Sequence, residues 1–237
     1  MDFIVDFLPT FIITLGHLVM FCIRIGQVDK FRELFERMSK DWALQKTHDE
    51  IKIMHEHAEI ARLFTLSYFI VPYTLMVGYV IWMSIPEILD VISPMNESRP
   101  RIQVFKAQFF IDEEQYSYLI HSHLCLVILT IPVIYITFST LFLTLTQHAC
   151  GMCELLGYRA ERLICLVKGE TTCDLIHGSQ TNCRNIAVFV RLHYNIIQFV
   201  DIIETCYTVP FLLELTGVVI LLGITLMQLS DLSVSPL

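Results

Sequence analysis

Charged residues in this chain fall in blocks, and the blocks are separated by long stretches that carry none. Seventeen uncharged residues lie between Asp6 and Arg24, twenty-four between Arg62 and Glu87, and thirty-nine run from Gln115 to Cys153. A fourth apolar stretch, about Thr205 to Leu229, is interrupted only by Glu214. A helix that crosses the roughly 30 Å hydrocarbon layer needs about 20 mostly apolar residues. The pattern therefore predicts an all-α, polytopic membrane helix bundle that forms one membrane domain over 1–237, with spans at about 7–25, 63–86, 117–143 and 205–229. Each stretch carries one internal proline (Pro9, Pro72, Pro132, Pro210), which membrane helices accept because neighbours satisfy the freed carbonyl. A carboxylate inside a span costs roughly 2.5 to 3.5 kcal/mol, so Glu214 needs a protein neighbour or water.

The segments between the stretches carry helical periodicity. Val28, Phe31, Phe35, Met38 and Trp42 recur at three- to four-residue steps, which predicts an amphipathic helix. Thr47-His48-Asp49-Glu50 matches a capping box and is followed by Ile51, Met54 and Ala58 on one face. One helix is expected from about His48 to Ile85. Ile186, Phe189, His193, Ile197 and Val200 form a stripe that leads into the fourth span. The third run is too long for a bilayer at about 1.5 Å per residue, so three helices are expected to extend beyond the membrane and to pack as a bundle. Lys168 to Cys183, polar with two glycines, reads as a loop.

Composition sharpens the picture. The chain is 54% hydrophobic and 17% charged, with mean hydropathy +0.59, against about 25% charged residues in an ordinary soluble domain. Its net charge of −8, with no basic stripe, leaves no electrostatic footprint for nucleic acid. Lys and Arg number eight in 24–62 and five in 154–203, against three in 87–114 and none at either end. Positive charge stays cytoplasmic. That places 26–62 and 144–204 in the cytoplasm, 87–116 outside, and the amino terminus outside. No Lys or Arg precedes the first apolar run, so a cleaved signal peptide is not expected. Asn96-Glu97-Ser98 is a glycosylation sequon on the exterior side of this topology.

Enzyme chemistry finds no foothold. Cys150, Cys153, Cys165, Cys173 and Cys183 lie on the predicted cytoplasmic side, where thiols stay reduced. Cys150-Gly-Met-Cys153 has no second pair at zinc spacing. No phosphate loop or nucleophile elbow is present, and no cofactor, metal or catalytic residue is expected. The polar and aromatic residues of the outer halves are more informative: Phe11 and Thr14 on the first span; Tyr79, Trp82 and Met83 on the second; Tyr118, His121, Ser122 and Cys125 on the third. An interfacial aromatic belt accounts for Trp82 and Tyr118. Pooled across three helices, the set describes a small apolar pocket with a few polar handles, suited to a volatile or lipid-like ligand.

Specific segments carry a family likeness. Phe109-Phe110-Ile111-Asp112 runs into the long third helix, Thr146-Gln147-His148-Ala149-Cys150-Gly151 closes it, and Gly157-Tyr158-Arg159 follows shortly after. With Asp41-Trp42 and the stretch Asp201 to Leu215, their order and spacing resemble insect odorant receptors. The resemblance implies a subunit of an odorant-gated cation channel, assembled with the odorant receptor co-receptor, with a small volatile ligand among the outer halves of the spans. That family has seven spans and a cytoplasmic amino terminus. The likeness therefore implies a partial chain that lacks the first span and the last two, including the pore helix. A gustatory-type receptor of the same superfamily is an alternative. So is a four-span scaffold without a ligand, although that class carries paired extracellular cysteines and residues 87–114 contain none.

Overall fold

The structure is a computed structural model, and it describes residues 2–44, 46–93, 116–169 and 177–234. Five helices follow in order: α1 (Asp2–Ile25), α2 (Val28–Ala43), α3 (His48–Ile92), α4 (Ser117–Gly169) and α5 (His177–Val234). No strand occurs among the described residues, and the fold is an all-α membrane helix bundle. At 45, 53 and 58 residues, the last three helices would each run about 65 Å or more, over twice the hydrocarbon thickness. Among the described residues three helices are long and apolar enough to cross a membrane. The number rises to four if α1 and α2, broken at Gly26-Gln27, count as one span; the side chains of α1 are described from Phe11 onward.

The start of α3 follows directly from its sequence. The Thr47 amide donates to Glu50 Oε2 at 2.9 Å and the Glu50 amide reaches Thr47 Oγ1 at 3.5 Å, the reciprocal arrangement of a capping box. The helix then continues through Pro72 and Pro86 to Ile92, somewhat past the expected end. The polar stretch 168–183 is not a loop throughout. Lys168 and Gly169 end α4, and His177 to Cys183 open α5, while 170–176 lie outside the described residues. Once a helix is nucleated, each further residue adds a hydrogen bond, and a glycine costs only about 1 kcal/mol.

The chain divides into two compact units. One comprises Gly26–Ser67 and Ser139–Thr208 and holds two apolar clusters. In the first, Phe31 and Leu34 of α2 meet Leu145 and Ala149 of α4 and Phe199, Ile203, Cys206 and Tyr207 of α5. In the second, Met54 of α3 packs with Met152 and Leu155 of α4 and with Leu192 and Ile196 of α5. Burying each of the larger side chains contributes about 1.5 to 3 kcal/mol.

These clusters correct three of the expected stripes. On α2 the buried pair is Phe31 and Leu34, while Val28, Phe35 and Trp42 stay exposed and Val28 and Phe35 line an open groove with Arg32 and Glu36. On α3 the inward positions are Glu50, Met54 and Ala61, and Ile51 is exposed. On α5 the buried row is Leu192, Ile196, Phe199 and Ile203, one residue out of step with the expected stripe, whose Ile186, Ile197 and Val200 are exposed. Both rows on α5 have four-and-three spacing, so periodicity alone does not choose between them.

The other unit comprises Met1–Ile25, Tyr68–Phe138 and Val209–Leu237. Its outward side chains are large and apolar, with Leu75 69% and Leu215 63% exposed. That surface suits hydrocarbon as solvent. Four threonine hydroxyls in this unit hide their polarity on the helix itself: Thr74 donates to Ile70 O, Thr130 to Leu126 O, Thr216 to Leu212 O and Thr225 to Leu221 O, all at 2.7 to 2.8 Å. Back-bonding of this kind satisfies each of these four hydroxyl protons without a partner from another helix.

Candidate functional site

The candidate pocket residues with described side chains belong to one unit. Tyr79 and Trp82 of α3 stand with ring centroids 5.9 Å apart, at an offset that aromatic pairs favour. Met83 is buried at 3% exposure, whereas Trp82 and Phe11 keep 51% and 50% exposure. His121 and Cys125 of α4 are half-buried, and Thr14 and Ser122 are exposed. The side chain of Tyr118 and the whole of Asn96 lie outside the described residues.

The tie between α3 and α4 here runs through a residue that the sequence analysis passed over. Ser84 Oγ is 2.8 Å from the Val80 carbonyl and 3.0 Å from His121 Nε2. A hydroxyl has one proton. With that proton on the Val80 carbonyl, the imidazole donates and Ser84 accepts. The available signal was spacing: Ser84 lies one turn after Val80 on the same helix that carries Tyr79 and Met83.

The same unit supplies the neighbour that Glu214 requires. Arg24 Nη2 of α1 is 3.7 Å from Glu214 Oε1 of α5, and the arginine is only 5% exposed. Its guanidinium carbon also stands 4.1 Å over the Phe138 ring of α4, within cation–π range. His17, two turns before Arg24 on α1, is bonded to the Ile13 carbonyl at 2.7 Å through Nδ1.

The other unit is laced by polar contacts between helices. His57 of α3 places Nδ1 3.1 Å from Gln147 Oε1 and Nε2 2.8 Å from Glu154 Oε2, both on α4. Burial pulls the His57 pKa down, but these two bonds and the charges of Glu154 and Glu56 carry it above the usual histidine value. Arg159 Nε donates to Glu50 Oε1 at 2.7 Å, and its Nη2 reaches Oε2 at 3.2 Å. Burial alone would raise the Glu50 pKa, yet the bonds from Arg159 and Thr47 hold it below the usual carboxylate value. His148 Nε2 contacts Asp41 Oδ2 at 3.2 Å beside Phe199, and Tyr158 donates to Asp49 Oδ2 at 3.0 Å.

Burial, reinforced by the charge of Cys150, pushes the Cys153 thiol up, which disfavours the nucleophilic thiolate. Among the described residues no group of three or more His, Cys, Asp or Glu side chains could hold a metal ion. What these contacts do is tie α3 and α2 to α4.

Comparison with known proteins gives one result of wide coverage. The family model described as 7tm Odorant receptor matches residues 1–236. No curated protein matches the chain.

Proposed function

Because the chain belongs to the seven-transmembrane odorant receptor family, we propose that this multi-pass membrane protein is a subunit of an odorant-gated cation channel that detects small volatile or apolar molecules. The family match carries the reading. The outer residues named above suit such a ligand in kind: Tyr79, Trp82, Phe11 and Met83 offer apolar contact, and His121, Ser122, Thr14 and Cys125 offer polar handles, with Tyr118 proposed beside them. A pocket of this composition selects by shape and a few hydrogen bonds.

In this proposal the spans are about 7–25, 63–86, 117–143 and 205–229, with 26–62 and 144–204 cytoplasmic and 87–116, including glycosylated Asn96, outside. The partner is the odorant receptor co-receptor, and the surrounding solvent is the lipid bilayer of the plasma membrane. A gustatory-type receptor of the same superfamily is the second reading.

The chain should be expressed with the co-receptor and exposed to a broad panel of volatiles, with the purified chain in lipid nanodiscs titrated in parallel by Trp fluorescence. Saturable quenching of Trp fluorescence by at least one volatile, retained in W42F and lost in W82F, together with an odorant-dependent change in co-receptor current, is expected. No response in either assay to any panel member would defeat the proposal.

A further inference from the structure

We propose that α1 supplies the counter-charge that lets α5 carry Glu214 into the membrane: Arg24 and Glu214 form an intramembrane latch, closed on a third side by Phe138 of α4. The inference is independent of any ligand, because it concerns how the unit containing these three residues is built.

Two observations meet here. Glu214 is the one charge in the stretch from Thr205 to Leu229, and a lone acidic side chain near the centre of a span disfavours insertion roughly a hundredfold. Arg24 is 5% exposed and Glu214 24%, with Nη2 and Oε1 3.7 Å apart. At that separation the attraction is chiefly coulombic, and low-dielectric surroundings strengthen it. The Phe138 face at 4.1 Å holds the planar guanidinium in place, a role that favours arginine over lysine. An arginine near the end of α1 could extend its head to the interface when unpaired, whereas Glu214 has a short side chain and cannot. The dependence is therefore one-sided: Glu214 needs Arg24 more than Arg24 needs Glu214.

The asymmetry gives a test in the full chain, with acceptor sequons placed on either side of α5 so that insertion appears as modification of one and not the other. R24L is expected to lower the ratio of inserted to uninserted α5 at least tenfold. E214L should leave insertion within twofold of the parent, and R24L/E214L should restore it to that level. An unchanged ratio in R24L, or a double variant no better than R24L, would overturn the latch. A water-filled surround would make the pair unnecessary. E214C labelled by a membrane-impermeant thiol reagent above the parent level would therefore also overturn it, and protection supports it.

Discussion

Gly151 of α4 lies flat against the imidazole of His57 on α3: a Cβ at this glycine would stand 3.3 Å from the His57 Cβ and 3.4 Å from its Cδ2. His57 has little room to yield, because both ring nitrogens are held by α4. Gly151→Ala gains up to about 1 kcal/mol of helix propensity but overpacks a closed contact at about 1 to 3 kcal/mol. The expected outcome is net destabilisation by about 1 kcal/mol in detergent unfolding. Gly157→Ala, with nothing within 4 Å of its Cβ, should stabilise by roughly 0.5 to 1 kcal/mol.

His57 and Glu50 act on stability at opposite ends of the pH scale. The His57 value is raised, so its contribution is complete below the ordinary histidine value and is lost as pH rises through the raised one. The Glu50 value is depressed, so its contribution is present above the ordinary carboxylate value and is lost as pH falls through the lowered one. Protection factors for amide exchange along α3 and α4, corrected for the intrinsic pH dependence of exchange, should be highest in weakly acidic solution. Glu154→Gln should flatten the alkaline loss and leave the acidic one.

Glu50 closes the capping box and receives two bonds from Arg159. Glu50→Ala removes a cap worth about 1 kcal/mol and strands a guanidinium that is one-quarter exposed, so we expect a loss of about 2 to 3 kcal/mol, below the figure for a fully buried pair. Unfolding of the variant by calorimetry measures it. A loss under 0.5 kcal/mol would show that solvent replaces the glutamate.

Tyr207 is 2% exposed and packs against Phe31 and Phe142 with ring centroids at 5.8 and 4.8 Å. Tyr207→Ala is expected to cost about 3 to 5 kcal/mol, and Tyr207→Phe much less. Protease resistance of the region around α2 should fall with the first variant and survive the second.

Under the proposed function, Ser84 fixes the His121 imidazole through the 3.0 Å contact. Ser84→Ala removes one hydrogen bond, worth about 0.5 to 1.5 kcal/mol. Half-maximal concentrations for carbonyl or hydroxyl ligands should rise about threefold to tenfold, with hydrocarbons unaffected. Equal shifts for both ligand classes would assign Ser84 to packing instead.

Charge spacing and the capping box made the long helices and the start of α3 legible before any coordinates. Glu214 announced its need for a partner in the same way. Arg24, the partner, was not legible, since 190 positions separate the two residues and nothing local links them. The inward faces of α2 and α5 escaped for a different reason. α5 is apolar on more than one side, and on α2 Phe31 and Leu34 occupy only part of a single apolar arc, so the residues buried depend on what stands opposite. Ser84 was hidden because a serine on a membrane helix usually bonds only its own backbone, and this one also receives an imidazole.

Two rows one residue apart on α5 make that helix sensitive to frame. Leu192, Ile196, Phe199 and Ile203 are wholly apolar, while the parallel row carries His193 and runs on to Glu204. Those two polar groups oppose rolling the helix by about a hundred degrees, because the roll would bury them. Replacing both His193 and Glu204 with leucine would erase the polar difference between the two rows and leave the seating of α5 to its buried side chains, to the bond that Gln198 accepts from Arg37, and to the Arg24–Glu214 pair.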